Sequence, residues 1–271
     1  MIPDRFISQI NTHLLGNMLG IDDYPLILAI IGKPGMGKTW QLRQHLKLIG
    51  IEVYSISSAD LESERAGAPA KLLKKIYIDA SVNISKKNPS ALVIDDIDTT
   101  VGEWEQNTGT VNHQGILAFL MHIADDPYYI ENIGKVNRVP IFFTGNDFEL
   151  LYDPLRRPGR TRLFDWEPEK EEKVEIITSY LSNITNAKDI ALELVNSFPD
   201  QSISFYTDFF AIRKLEYLME FANKAMFKYI LSDSHYKYKL YQKYMDLYNH
   251  VDWEKIITER REKNDKNDNG H

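Results

Sequence analysis

The sequence predicts a parallel-sheet α/β domain followed by a small all-helical one. Three observations carry this. Short apolar runs of strand length recur at residues 25–31, 91–94 and 139–143, and residues 51–56 read as a further strand. Between them lie stretches with apolar residues at helical spacing, and strands that alternate with helices build a parallel sheet covered on both faces. After residue 166 the strand-like runs stop and only helical spacing continues.

Taken in order, residues 4–19 read as a helix, with Phe6, Ile10, Leu14 and Leu15 at helical spacing. Residues 26–31 form a continuous apolar run that enters a glycine loop. Residues 39–49 follow as a helix, with Leu42, Leu46 and Ile49 on one side and Gly50 as its stop. Residues 51–56 are a second strand and 70–82 a helix. Residues 91–94 are a short strand ending in acids, 115–124 a compact apolar helix, and 139–143 a further buried strand. Residues 168–181, 187–197, 206–225 and 226–247 read as helices. The domains follow as 1–166 for the α/β part and 167–258 for a helical lid with a tyrosine-rich last helix. Residues 259–271, nearly all charged or polar, are expected to be a disordered tail.

Composition narrows the function classes. A chain of 271 residues with 43% hydrophobic and 26% charged residues is ordinary for a globular protein. Its formal charge of −7 weighs against sequence-independent nucleic-acid binding, which needs Lys and Arg against phosphate. There is no cysteine, which removes disulfides, thiolate metal sites and cysteine nucleophiles. No apolar run reaches membrane-span length, and Met1-Ile2-Pro3-Asp4-Arg5 lacks the features of a signal peptide, so no membrane partner and a cytoplasmic setting are expected.

The most specific motif is Gly32-Lys33-Pro34-Gly35-Met36-Gly37-Lys38-Thr39. It satisfies G-x-x-x-x-G-K-[S/T] between a strand and a helix, the setting of a phosphate-binding loop. Gly35 and Gly37 permit backbone geometry that a Cβ would block. The loop N–H groups then face phosphate oxygens at the positive end of the next helix. Lys38 is placed to reach the β and γ phosphates of ATP, and the Thr39 hydroxyl to bind Mg²⁺.

Two further strand ends add polar groups. Ala91-Leu92-Val93-Ile94 runs into Asp95-Asp96-Ile97-Asp98. At the carboxyl end of a parallel strand such acids lie beside the ligand crevice. Asp95 is the candidate partner of Mg²⁺, Asp96 the candidate base for the attacking water, and Asp98 can share either task. Ile141-Phe142-Phe143 leads to Thr144-Gly145-Asn146-Asp147, where Asn146 can hold that water or the γ-phosphate. Arg156, Arg157 and Arg160 follow. On spacing alone they are either a solvated or salt-bridged cluster or arginines supplied to a neighbouring subunit's γ-phosphate.

This ordered set resembles the AAA+ ATPases and, within them, the Rubisco activases of plants and cyanobacteria. The carrying segments are Leu61-Glu62-Ser63-Glu64-Arg65-Ala66-Gly67-Ala68-Pro69-Ala70-Lys71-Leu72, His122-Ile123-Ala124-Asp125-Asp126-Pro127, Asn137-Arg138-Val139-Pro140-Ile141, Thr144-Gly145-Asn146-Asp147-Phe148 and Leu151-Tyr152-Asp153-Pro154-Leu155. Phe198-Pro199-Asp200-Gln201-Ser202-Ile203 adds a match in the helical part. The resemblance implies a P-loop AAA+ nucleotide-binding domain with a helical lid. It also implies Mg²⁺-dependent turnover of ATP to ADP, a ring usually of six copies, and a protein target, with Rubisco the best guess. It puts the two trans-acting arginines on Arg157 and Arg160, with Arg156 where the family is apolar. It matches residues 60–67 and 99–110 to loops facing the ring's central pore. The family's nucleotide-sensing arginine of the helical domain has no match in register: Phe210 falls there, and Arg213 is the nearest substitute. The longer N-terminal domain of plant activases and the small-subunit-like domain of some cyanobacterial relatives are not expected here.

Tyr236, Tyr238, Tyr241, Tyr244 and Tyr248 share a stretch with Lys237, Lys239 and Lys243. Leu240, Tyr244, Leu247 and Val251 fit one helical face, which reads as an amphipathic helix packed on the small domain; a partner-docking helix and a nucleic-acid surface are the alternatives. At the level of the whole chain, a helicase-loader-like module and a slow nucleotide-gated scaffold stand as alternatives to a target-remodelling ATPase.

Overall fold

The structure, a computed structural model, describes residues 1–61, 67–98, 111–181, 184, 186–222, 227–249 and 251–268. The chain divides into two compact units, residues 2–167 and, together with Met1, residues 168–271.

The first unit opens with α1 (Asp4–Met18). Phe6, Ile10 and Leu14 are buried along one stripe, whereas Leu15 faces solvent. There follow β1 (Ile27–Ile31), α2 (Lys38–Leu48), β2 (Glu52–Ile56), α3 (Ser58–Leu61), α4 (Ala68–Ser85) and β3 (Ser90–Ile94). Then come α5 (Val111–Asp125), β4 (Tyr129–Ile130), β5 (Gly134–Lys135), β6 (Ile141–Gly145), α6 (Asp153–Arg156) and β7 (Thr161–Asp165). Five strands form one parallel sheet in the order β2-β3-β6-β1-β7. β1, β3 and β6 are buried at every residue, as strands covered on both faces require. One face of the sheet meets Leu73 and Tyr77 of α4 and Leu120 and Ile123 of α5, which pack with Ile27, Ile94, Ile141 and Phe143.

This topology brings the carboxyl ends of β1, β3 and β6 side by side, the edge at which open α/β sheets hold ligands. The strands are not joined equally. β1 pairs over five residues with β6 and with β7, and so does β2 with β3. β3 and β6 pair over three, from Leu92 opposite Ile141 to Ile94 opposite Phe143. Beyond that point the link is a side-chain one, from the Thr144 hydroxyl to Asp95 Oδ1 at 3.0 Å.

The sequence reading did not anticipate β7. It is a five-residue edge strand in which buried Thr161 and Phe164 alternate with exposed Leu163 and Asp165, so no apolar run marks it. β4 and β5 form an antiparallel pair two residues long, too short for any periodicity. The expected pore-facing loops, residues 60–67 and 99–110, lie largely outside the described residues.

The second unit holds α7 (Lys170–Tyr180), α8 (Ala187–Ser197), α9 (Ile203–Ala222), α10 (Phe227–Ser232), α11 (Ser234–Asn249) and α12 (Trp253–Asp268), with no strand among the described residues. α7 begins with a reciprocal cap between Glu169 and Glu172. Two expectations are corrected. Residues 226–247 do not make one helix: Asp233 Oδ1 accepts the N–H groups of His235 and Tyr236 and so starts α11 afresh. The stretch from 259 is not a disordered tail as far as Asp268, because it continues α12. That helix is anchored by buried Trp253 and Ile257, with Trp253 against Phe209 and Phe210, at 5.0 Å from the latter. In α11, Leu240 and Tyr244 are half-buried while Tyr238 and Tyr241 are exposed, the pattern of an amphipathic helix. Arg213 lies on α9, and its side chain is outside the described residues.

Candidate nucleotide site

Residues 32–39 join β1 to α2 at the carboxyl edge of the sheet. Gly35 and Gly37 have φ of +76° and +78°, values that glycine adopts without penalty. Gly32 is required for a different reason: a Cβ there would lie 2.2 Å from the Trp166 backbone oxygen. Lys33, Pro34 and Gly35 form the exposed tip, and Met36 turns inward.

The loop is held from behind. Trp166, fully buried just past β7, donates its indole N–H to the Met36 carbonyl at 3.0 Å and its backbone N–H to the Ile31 carbonyl at 2.6 Å. Gln41 Nε2 donates to the Met36 and Gly37 carbonyls, each at 3.3 Å. The Phe6 ring meets Trp166 edge-on at 4.8 Å, and the Arg5 guanidinium lies over the indole at 4.8 Å. At the surface Lys33 pairs with Glu167 at 2.9 Å. The shape of the phosphate loop is thus set jointly by α1, α2 and the end of β7.

Inside the loop, Lys38 is buried and its Nζ donates to the carbonyls of Gly32 and Lys33 and to Asn146 Oδ1 at 3.2 Å. Burial pushes its pKa down, while the charges of Asp98 and Asp96 act in the opposite sense. Thr39 Oγ1 donates to Thr144 Oγ1 at 3.1 Å, and Thr144 in turn bonds Asp95. The second Asp95 oxygen takes Arg43 of α2 at 2.5 Å. Asp96 is exposed, with φ of +50°; partial desolvation, then the neighbouring Asp95 and Asp98 charges, push its carboxyl up and make it a better base. Asp98 is buried. Its Oδ2 accepts the Asn146 backbone N–H at 2.9 Å, and its Oδ1 has no hydrogen-bond partner among the described residues.

The structure therefore brings Lys38, Thr39, Asp95, Asp96, Asp98 and Asn146 to one place, and adds Thr144 to them. The arginines are not equivalent. Arg156 pairs with Glu149 and Asp153. Arg157 is exposed and makes no side-chain ion pair or hydrogen bond among the described residues. Arg160 is fixed by Asp125, with Nε and Nη2 each 2.6 Å from a carboxylate oxygen. Sequence reasoning missed Trp166, Gln41, Arg43 and Asp125. Gln41, four residues after Gly37 on the loop's helix, was the one with a readable signal; the others act across the fold.

A magnesium ion fits the donor set. Among the described residues no three His, Cys, Asp or Glu side chains gather into a cage. Nucleotide-bound magnesium is held by one or two protein oxygens together with phosphates and water, and the Thr39 hydroxyl and Asp95 carboxylate are hard oxygen donors of that kind.

The ATPase family associated with various cellular activities (AAA) matches residues 28–165. The chain belongs to this family. The match runs from β1 to the end of β7 and so takes in the loop, both acidic and polar strand ends and the arginines. Among curated relatives, the ribulose bisphosphate carboxylase/oxygenase activase of Anabaena sp. (strain CA / ATCC 33047) is 39% identical over 215 residues, 76% of this chain and 52% of that protein. The activase of Nostoc sp. (strain PCC 7120 / SAG 25.82 / UTEX 2576) is 37% identical over 241 residues, 84% and 58% respectively. The chloroplastic activase 1 of Nicotiana tabacum is 37% identical over 213 residues, 76% and 48%. The chain spans about half the length of the curated relatives it matches. Among the described residues no helix is long and apolar enough to cross a membrane.

Proposed function

We propose that this AAA-family chain hydrolyses Mg²⁺-ATP in a ring of its own copies and uses the cycle to remodel a protein target; its relatives are named as activases of ribulose bisphosphate carboxylase/oxygenase, which makes Rubisco the target to test first. The observation that carries the ATPase reading is the convergence of Lys38, Asn146, Asp95 and Asp96 on a loop already bent and braced for phosphate. The identity to the activases supports the target class.

In this reading Lys38 leaves the carbonyls of Gly32 and Lys33 for the β and γ phosphates. Thr39 and Asp95 hold Mg²⁺, which neutralises phosphate charge when bound. Asp96, with its raised pKa, takes the proton of the attacking water. Asn146, already bonded to Lys38, orients that water or the γ-phosphate. Arg157 is delivered to the site of the next copy.

The test uses two variants and their mixture. Lys38→Ala is expected to abolish nucleotide binding and turnover. Arg157→Ala is expected to lower kcat by about 10³-fold while ATP affinity holds within a few-fold. Mixed one to one, the two regain activity, because roughly a quarter of head-to-tail interfaces then join an intact loop to an intact arginine. Full activity of Arg157→Ala, or a mixture as dead as its parts, refutes the shared site. ATP-dependent recovery of Rubisco inhibited by a sugar phosphate tests the target; an active ATPase that leaves Rubisco inhibited removes it.

A further inference from the structure

Asp125 is the last residue of α5. A carboxylate at a helix C-terminus meets the negative end of the helix dipole and is disfavoured unless a cation answers it. Here Arg160 answers it in the bidentate geometry that a guanidinium fork gives and an ammonium does not, with both contacts at 2.6 Å. A third donor, Nη1, reaches the Pro154 carbonyl of α6 at 2.6 Å. The Arg160 backbone carbonyl accepts the N–H of Ile27 at the start of β1 at 3.2 Å, and its N–H donates to the Arg157 carbonyl at 3.0 Å. Arg160 therefore ties α5, α6 and β1 of its own subunit together and closes the turn Arg157-Pro158-Gly159-Arg160. Proline at the second position and Gly159 at φ of +97° make this a type II turn. Arg157 stands on the first corner of that turn, exposed.

We propose that the two arginines divide the work. Arg160 is a positioning residue, clamped in its own subunit by Asp125, and the clamp sets the turn that presents Arg157. Arg157 alone is the arginine that completes a neighbouring copy's nucleotide site. To act on phosphate, Arg160 would have to surrender three hydrogen bonds within its own subunit, whereas Arg157 makes none of that kind among the described residues. The inference rests on the ring reading above and assigns Asp125 a role that its place outside the phosphate loop does not suggest.

The test is a double-mutant cycle on Asp125 and Arg160 in the full chain, read as kcat and ATP Kd in parallel. Asp125→Asn and Arg160→Gln are each expected to lower kcat by about 10–100-fold, the scale of a misplaced catalytic group. The double variant is expected to be no worse than either single one, and ATP Kd to hold within two-fold in all three, which also reports an intact fold. Arg160→Lys keeps the charge and loses the fork, and is expected to behave as Arg160→Gln. Near-normal kcat in Asp125→Asn beside a large loss in Arg160→Gln overturns the clamp, as does full activity in Arg160→Lys. These outcomes are separable from failure of the ring itself. If Arg157→Ala keeps its kcat, the shared site falls; if only Asp125→Asn keeps it, the clamp alone falls.

Discussion

Replacing Trp166 by Phe separates a packing role from a role in shaping the phosphate loop. The substitution keeps a ring beside Phe6 and Arg5 but deletes the indole N–H that bonds the Met36 carbonyl at 3.0 Å. A net hydrogen bond of this kind is worth about 1 kcal/mol. The carbonyl is not stripped bare, because Gln41 Nε2 remains at 3.3 Å, so the loss sits near the low end, about 0.5–1 kcal/mol. The smaller ring adds a packing loss of about 1 kcal/mol. The sum lowers the thermal midpoint of a unit this size by roughly 4–8 °C. If the bond selects the phosphate-competent loop, its share also appears in binding, as an ATP Kd raised about 2–5-fold. Thermal denaturation gives the first quantity and titration with a fluorescent ATP analogue the second. Gln41→Leu supplies the partner: the double variant leaves Met36 without either donor and should lose more affinity than the two single losses combined. A lowered midpoint with unchanged Kd and no coupling to Gln41 would reduce Trp166 to an ordinary core residue and refute the brace.

Two other perturbations follow from the same region. Asp98→Asn keeps an oxygen for the Asn146 N–H but removes a buried charge beside Lys38, so kcat should fall about ten-fold without weaker ATP binding; steady-state kinetics with unchanged kcat would show that the charge of Asp98 contributes nothing beyond that hydrogen bond. His13 is buried against the Ile141 carbonyl at 3.0 Å, and burial, then the Arg162 charge, hold its pKa down at about 3. The unfolded chain binds that proton below about pH 6.5 and the folded chain does not until about pH 3. The stabilisation is therefore complete above about pH 6.5 and is lost at about 1.4 kcal/mol per unit as pH falls towards 3. His13→Gln should flatten the stability–pH profile in that window by one proton's worth; an unchanged slope from denaturant midpoints between pH 4 and 6.5 would refute the assignment.

How much of this was legible in the sequence depended on how each feature is encoded. β1, β3 and β6 announce themselves because buried central strands need unbroken apolar runs, and the loop because its glycines and Lys38 are contiguous. β7 did not, because an edge strand tolerates Arg162 and Asp165. The break at Asp233 hid inside a continuous aromatic pattern and shows only through its capping bonds. Within the site, the strand-end acids and Asn146 could be read from their positions after apolar runs. Trp166, Arg43 and Asp125 could not, since each acts on a residue between 35 and 130 positions away, which only the fold brings close. Arg160 is the instructive case: spacing left open a salt-bridged cluster or a role between subunits, the family resemblance implied the latter, and its hydrogen bonds run within one subunit.

The seam between β3 and β6 has a consequence of its own. Everywhere else in the sheet, strands are fastened by main-chain ladders whose strength hardly depends on which residues occupy them. At Asp95–Thr144 and Asp98–Asn146 that fastening passes to side chains just where the nucleotide chemistry is expected. How far the sheet stays zipped at this end is thus open to single substitutions, which can tighten or slacken it without disturbing the strands behind. Substitutions at positions 95, 98 and 144 are thus expected to shift the geometry of this edge while the ladders behind it stay intact.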